Sequence, residues 1–347
     1  MNYALIMAGG IGSRFWPAST EDMPKQFLDI LGTGKSLLQW TFDRFRLLLP
    51  LEQIYILTHE RYRPLVRKQL PDLPNAQILG EPSRNNTAPC IAYAAFKLQA
   101  IDPQANFVVA PSDQLILREE VFLEKIRRGL AFTSKRNALL TLGITPTRPH
   151  TGYGYIHYDR EAGERGIYPV VAFKEKPDEQ TARNFLRSGN YLWNAGIFLW
   201  RSEVILEAFA KYAPQIFELL QAGPEVYLGP DEPSFLEERY VKTPSVSVDY
   251  AIMEKADNIY TLPADIGWSD LGSWRALYEW QPKDANGNVL ISGDLLAQNT
   301  KDCLVQLPSG KKAVLRDLRN YIVVDTEDVL LIYPMDKEQE IKYIEKK

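Results

Sequence analysis

The chain opens with MNYALIMAGGIGSRFWPAST (residues 1–20), followed at once by PKQF (24–27). Tyr3 to Met7 is a short apolar run that breaks into Ala8-Gly9-Gly10, the pattern of a buried strand feeding a glycine loop. Gly9, Gly10 and Gly12 let backbone N–H groups approach a phosphate closely. Arg14 and Lys25 add fixed positive charge of the kind a triphosphate needs, and Ser13 adds a short hydroxyl donor. Lys25 is expected as a loop cation with little packing role.

Similar apolar runs recur outward from this start, at Ile54 to Leu57, Gln77 to Leu79, Phe107 to Ala110 and Ala138 to Leu142. Helix-like stretches at 36–48, 60–70, 87–100 and 119–135 separate them. Strands alternating with helices imply βαβ units and a mostly parallel sheet covered on both faces, an α/β fold. Ligands of such sheets collect beyond the carboxyl ends of the strands, so the loops at Gly9 to Arg14, Glu81 to Thr87 and Pro111 to Gln114 are expected to converge. From about 150 to 275 the strands become richer in aromatic residues, at Tyr153 to Tyr158, Tyr168 to Glu175 and Leu192 to Trp200. After about Gln281 short β-branched runs such as Ala313 to Leu315 and Tyr321 to Val324 alternate with turn residues, a small all-β region that could be an irregular β-helix or a meander. The expected division is 1–280, catalytic, and 281–347, small and β-rich.

Composition narrows the classes of function. Of 347 residues, 45% are hydrophobic and 24% charged, ordinary for a folded globule. Lys and Arg number 40 against 44 Asp and Glu, a net charge of -4. That leaves no basic field for a nucleic-acid backbone or an anionic membrane, so neither is an expected partner and any phosphate must be gripped locally. Cys90 and Cys303 stand far apart with no CxxC or Cys/His cluster, which argues against a disulfide scaffold or zinc site and fits a reducing cytoplasm. No charged leader or apolar stretch of about 18 residues is read, so neither export nor a membrane span is expected.

Two rival phosphate motifs fail on their own terms. Leu31-Gly32-Thr33-Gly34-Lys35-Ser36 ends like a P-loop, but Asp29 stands where that pattern needs its first glycine. Gly9-Gly10-Ile11-Gly12 does not spell GxGxxG, and Arg14 with Pro17 disfavours the helix that a dinucleotide site opens into. His59, His150 and His157 are scattered singly and read as surface or core residues.

Eight segments then occur in order: GGIGSRFWP, PKQF, EPSRNNTAP, PSDQ, GYGYI, FKEKP, WNAGIF and WSDLGSW. In that order they resemble the mannose-1-phosphate guanylyltransferase family of sugar-1-phosphate nucleotidyltransferases, over roughly residues 1 to 275. The resemblance implies a Rossmann-like nucleotidyltransferase core followed by a small β domain, often β-helical and used in forming a homodimer. It implies transfer of GMP from GTP to mannose 1-phosphate with Mg²⁺; bifunctional members carry a further C-terminal sugar-phosphate isomerase domain, and with only about 65 residues after the core, transferase activity alone is the expectation here. Other hexose- or heptose-1-phosphate nucleotidyltransferases, and a silent nucleotide-sugar sensor, are the alternatives.

Carried over motif by motif, Arg14 and Lys25 resemble the triphosphate grip and reaction centre, with Gly9, Gly10, Gly12 and Ser13 around the nucleotide. Glu81, Asn86, Thr87 and Ala88 resemble the guanosine-facing segment, although Asn and Thr before Pro89 also suit simple helix capping. The commoner RNTAPA form appears here with an additional Asn and with Cys90 in place of Ala. Gly152, Tyr153, Glu175, Lys176, Asn194 and Gly196 resemble the sugar-phosphate pocket, Lys176 serving the phosphate; FKEKP also reads as a charged strand end. Asp113 and Asp270 are the expected metal carboxylates, each also readable as an ordinary turn or cap residue.

Overall fold

The computed structural model describes residues 1–344. Contacts divide the chain into two compact units, the first of residues 1–9, 42–111 and 116–268, the second of residues 10–41, 112–115 and 269–347.

The first unit is built on β1 (Asn2–Met7), β2 (Ile54–His59), β3 (Ile78–Glu81) and β4 (Asn106–Pro111). After a two-residue strand β5 (Leu115–Ile116) come β6 (Leu139–Ile144), β7 (Tyr155–Tyr158), β8 (Tyr168–Lys174), β9 (Tyr191–Arg201) and β10 (Ile259–Pro263); β11 (Trp268–Ser269) is again short. Nine of these form one sheet in the order β3-β2-β1-β4-β9-β6-β10-β8-β7. The stretch β3-β2-β1-β4 is parallel, as the alternating strand and helix pattern requires. The long aromatic β9 inserts antiparallel to both β4 and β6, so the sheet is mixed beyond that point.

The interior residues of β1 are buried on both faces because helices cover both sides, which is why this strand reads as an unbroken apolar run. The helix Thr87–Ile101 shows the same logic. It is apolar almost all round, and Ala88 to Leu98 are buried in the main core with Trp200, Phe209 and Tyr227. Its one buried cation, Lys97, donates to the Tyr227 carbonyl and to Glu232, so the charge is not left uncompensated.

The second unit holds the glycine loop and the C-terminal strands. β12 (Val289–Ser292), β14 (Leu304–Gln306) and β16 (Tyr321–Asp325) stack in parallel, closed by the antiparallel β17 (Leu330–Pro334). β13 (Asp294–Gln298) pairs in parallel with β15 (Lys312–Arg316). Parallel pairing of strands that are not chain neighbours makes a coil, so of the two forms open in the sequence the β-helical one is adopted. The coil's inward residues Val289, Leu304, Ile322 and Val324 share one apolar cluster with Phe15, Trp274 and Leu277.

The P-loop look-alike also lies in this unit. The Asp29 carboxylate accepts from the amides of Thr33 (2.9 Å) and Gly34 (2.6 Å), so the residue that breaks the motif also occupies the N–H groups that a phosphate would need. Ser36 and Gln39 cap the following helix reciprocally.

Candidate active site

The expected site residues fall into two groups, one in each unit. In the second unit Gly12 takes φ 70°, and a Cβ there would lie 2.5 Å from that of Lys25, so only glycine lets the loop close over Lys25. The loop then turns through Ser13–Phe15, leaving the Arg14 side chain exposed with one guanidinium N–H on the Gly272 carbonyl at 3.4 Å. Gln26 donates to the Gly10 carbonyl at 2.9 Å, and Ser19 to that of Ile11 at 2.7 Å, which pins the loop from below.

Lys25 is not the loosely held cation expected. Its side chain is only 3% exposed, and its Nζ sits 3.0 Å from an Asp113 carboxylate oxygen. The same ammonium donates to the carbonyls of Asp270 (3.2 Å) and Leu271 (2.8 Å) and lies over the Phe15 ring. Lys25 therefore ties together three segments far apart in sequence, the glycine turn, the PSDQ loop and the WSDLGSW loop. Burial forces this bonding, since a dry ammonium needs an acceptor for each of its three hydrogens.

Asp113 is 37% exposed and retains acceptor capacity beyond its contact with Lys25. The Asp270 carboxylate lies against Gly272, where a Cβ would come within 2.5 Å of Oδ2. Among the described residues no three or more His, Cys, Asp or Glu side chains gather as a metal cage. A set of one or two carboxylates suits Mg²⁺, which takes its remaining ligands from phosphate and water.

In the first unit Glu81, at the end of β3, is 7% exposed. Burial pushes its carboxyl up to about 7, and hydrogen bonds from the Tyr240 hydroxyl and the Cys90 thiol oppose that rise only in part. Gly9 lies beside it, the position of a Cβ there falling 3.5 Å from Glu81 Oε2. Asn86 stands at the N-terminus of the helix Thr87–Ile101 with φ 69°, its side chain accepting from the Thr87 amide at 2.8 Å. Thr87 accepts from the Val248 amide (2.9 Å), Ala88 is fully buried, and the Ser83 hydroxyl is buried without a partner.

The sugar-half residues gather in the same unit. Gly154 lets Glu175 fold across the backbone, since a Cβ there would sit 2.1 Å from Glu175 Oε2. That oxygen is buried and has no hydrogen-bond partner. Burial, with Asp249 close by, pushes the Glu175 carboxyl up to about 7. Asn194 donates to Asp249 (2.8 Å), while its own oxygen accepts from Thr141 (3.1 Å) and from the Gly196 amide (3.1 Å). Lys176 is exposed, held at φ 46° with its amide on the Tyr153 carbonyl at 3.2 Å. Gly152 meets His150, whose ring stacks on Tyr153 at 3.7 Å.

Tyr240, Thr141 and Asp249 thus stand among the expected residues without having been singled out, and His150, read from the sequence as a surface or core residue, stands beside Gly152 and Tyr153. Only Asp249 had a legible signal, an acidic residue in an otherwise apolar stretch before MEK.

The chain matches the family described as nucleotidyl transferase over residues 3–287. It is 37% identical over 350 residues to a mannose-1-phosphate guanylyltransferase of Escherichia coli, covering 97% of this chain and 72% of that protein. A crystal structure of a mannose-1-phosphate geranyltransferase from Thermus thermophilus superposes with TM-score 0.89 at 31% identity, over 99% of this chain and 98% of that one. A mannose-6-phosphate isomerase structure from Helicobacter pylori superposes with TM-score 0.62 at 25% identity, over 77% of this chain and 99% of that one.

Proposed function

The chain belongs to the nucleotidyl transferase family, and on that premise we propose that it transfers GMP from GTP to α-D-mannose 1-phosphate, giving GDP-mannose and pyrophosphate. A phosphate oxygen of mannose 1-phosphate bonds to the α-phosphorus of GTP as the bond from that phosphorus to the α–β bridging oxygen breaks. The nucleophile is already an anion, so no general base is required. What remains is to align two anions in line and to neutralise charge on the departing pyrophosphate.

The observation that carries this reading is the bonding of Lys25 to the Asp113 carboxylate and to the Asp270 and Leu271 carbonyls. It holds a cation beside two carboxylate-bearing loops under a glycine turn that carries Arg14. In the proposed roles Arg14 and the amides of Gly9, Gly10, Gly12 and Ser13 grip the triphosphate, Lys25 joins them by exchanging one of its three present acceptors for a phosphate oxygen, and Asp113 and Asp270 would hold Mg²⁺. The ion, when bound, neutralises phosphate charge.

Glu81, Asn86, Thr87 and Ala88 are assigned to the guanosine. A buried acceptor such as Glu81 complements the N1–H and N2–H donors of guanine, and adenine has no N–H at those positions. Gly152, Tyr153, Glu175, Lys176, Asn194 and Gly196 are assigned to mannose 1-phosphate. The unpartnered Glu175 Oε2 supports this assignment, since a sugar hydroxyl supplies the missing donor.

In the same reading residues 1–280 carry catalysis, residues 281–347 serve a homodimer, and the enzyme works in the cytoplasm. Among the described residues no helix is long and apolar enough to cross a membrane.

The test is pyrophosphate release by the pure protein across four nucleoside triphosphates and several hexose 1-phosphates, with and without Mg²⁺. GTP with mannose 1-phosphate should give the highest turnover. Preference for another pair, or fructose 6-phosphate to mannose 6-phosphate conversion as the main activity, would overturn the assignment.

A further inference from the structure

One segment, residues 240–254, touches both groups of substrate residues assigned above in the first unit. At its N-terminal end the Tyr240 hydroxyl donates to Glu81, and Asn85 donates to the carbonyls of Tyr240 (3.0 Å) and Thr243 (3.0 Å). The Ala88 amide donates to the Val246 carbonyl at 3.1 Å, and the Val248 amide to Thr87 Oγ1 at 2.9 Å. The segment then widens into a π-turn over Asp249–Met253, and from there it serves the other group. Asp249 accepts from Asn194 at 2.8 Å, and Glu254 accepts from the Glu175 amide at 3.0 Å.

We infer that residues 240–254 form a positioning element for both substrates, with Tyr240 setting the Glu81 carboxylate for the nucleotide and Asp249 setting the Asn194 amide for the sugar phosphate. This rests on the substrate assignments proposed above.

The hydrogen-bond inventory makes the second role specific. An ionised carboxylate only accepts, so Asp249 forces the nitrogen of Asn194 toward itself and the oxygen toward Thr141 and Gly196. Asn194 is then locked in one orientation with a single N–H left to offer a ligand. Without Asp249 the Gly196 amide still holds the Asn194 oxygen, but the nitrogen loses its charged acceptor, so the remaining N–H is no longer fixed in direction for the ligand. At the other end, Tyr240 fixes one oxygen of Glu81 and leaves the opposite oxygen on the Gly9 side. A helix with a π-turn carries an extra residue per turn, and such turns recur where a side chain must be re-aimed.

The experiment is steady-state kinetics on Tyr240→Phe and Asp249→Asn, both near-isosteric, with KM measured separately for each substrate. Asp249→Asn should raise KM for mannose 1-phosphate about tenfold, the cost of exchanging a charged acceptor for a neutral amide that can itself turn either end to Asn194, and leave KM for GTP within about twofold. Tyr240→Phe should do the reverse. Asp249→Glu keeps the charge and moves it by one methylene, so it must show the same one-sided loss if Asp249→Asn lowers the melting temperature. Equal shifts in both KM values, or none, would overturn the inference. If the wild type prefers another nucleotide and sugar phosphate, the assigned function fails and the same split is read on that pair.

Discussion

Lys25 carries the clearest residue-level consequence. An exposed loop cation could be removed at little cost to folding, but this one is buried and bonded to a carboxylate and two carbonyls. Lys25→Ala should therefore lower turnover and also destabilise the fold by about 1–3 kcal/mol, because the groups it leaves are partly buried without partners. Thermal unfolding read beside turnover checks this, and an unchanged melting temperature would contradict it. Glu81 gives a pH signature. Its folded pKa of about 7 lies above the ordinary 4.5, so its contribution to stability is full below pH 4.5 and is lost as pH rises through 7. Glu81→Gln removes that loss, and its stability relative to wild type should improve by on the order of 3 kcal/mol between pH 4.5 and 8. Chemical denaturation at several pH values measures it. A constant difference across that range would show that burial does not load this carboxyl. The sequence carried the identity of both residues but not their burial, because nothing local to PKQF announces that Asp270 will fold against it.

Among the elements, the loops around Lys25 bear on metal dependence. Replacing Asp113 or Asp270 by Asn keeps shape and removes charge, so the Mg²⁺ concentration for half-maximal rate should rise; Asp270→Asn should leave stability little changed, whereas Asp113→Asn should lower it, because the buried Lys25 ammonium loses its carboxylate partner. An unchanged magnesium titration in both variants would remove these residues from the metal assignment. Lys176, held exposed at φ 46°, follows FKE, and Lys176→Ala should raise KM for mannose 1-phosphate much more than KM for GTP. Equal effects would place it elsewhere. The parallel strands β1 to β4 and the helix Thr87–Ile101 were legible because burial on both faces writes continuous apolar runs. The antiparallel insertion of β9 was not, since Tyr191–Arg201 is apolar whichever direction it runs and pairing is decided by distant partners. Residues 240–254 escaped notice for a related reason. The bonds to Asn85, Thr87 and Ala88 are made largely by the segment's backbone groups, which leave no trace in residue type, and of its bonding side chains only Asp249 stands out in sequence.

Across the whole molecule, the chain order of the eight segments does not follow their grouping in space. GGIGSRFWP, PKQF, PSDQ and WSDLGSW converge around Lys25, apart from the few residues at their edges that fall in the other unit, while EPSRNNTAP, GYGYI, FKEKP and WNAGIF lie in the first unit. The C-terminal coil shares its core with Phe15 of the glycine loop, a packing relation that a boundary drawn along the chain at 280 does not express. The central claim is displacement at the α-phosphorus of GTP, and the most direct measurement follows isotope. GTP labelled at its α-phosphate and, separately, at its γ-phosphate is incubated with mannose 1-phosphate and Mg²⁺, and the products are separated. The account predicts the α label in GDP-mannose and the γ label in pyrophosphate, in equal amounts. Label from the γ position in inorganic phosphate or in a sugar product, with none of the α label in GDP-mannose, would contradict it.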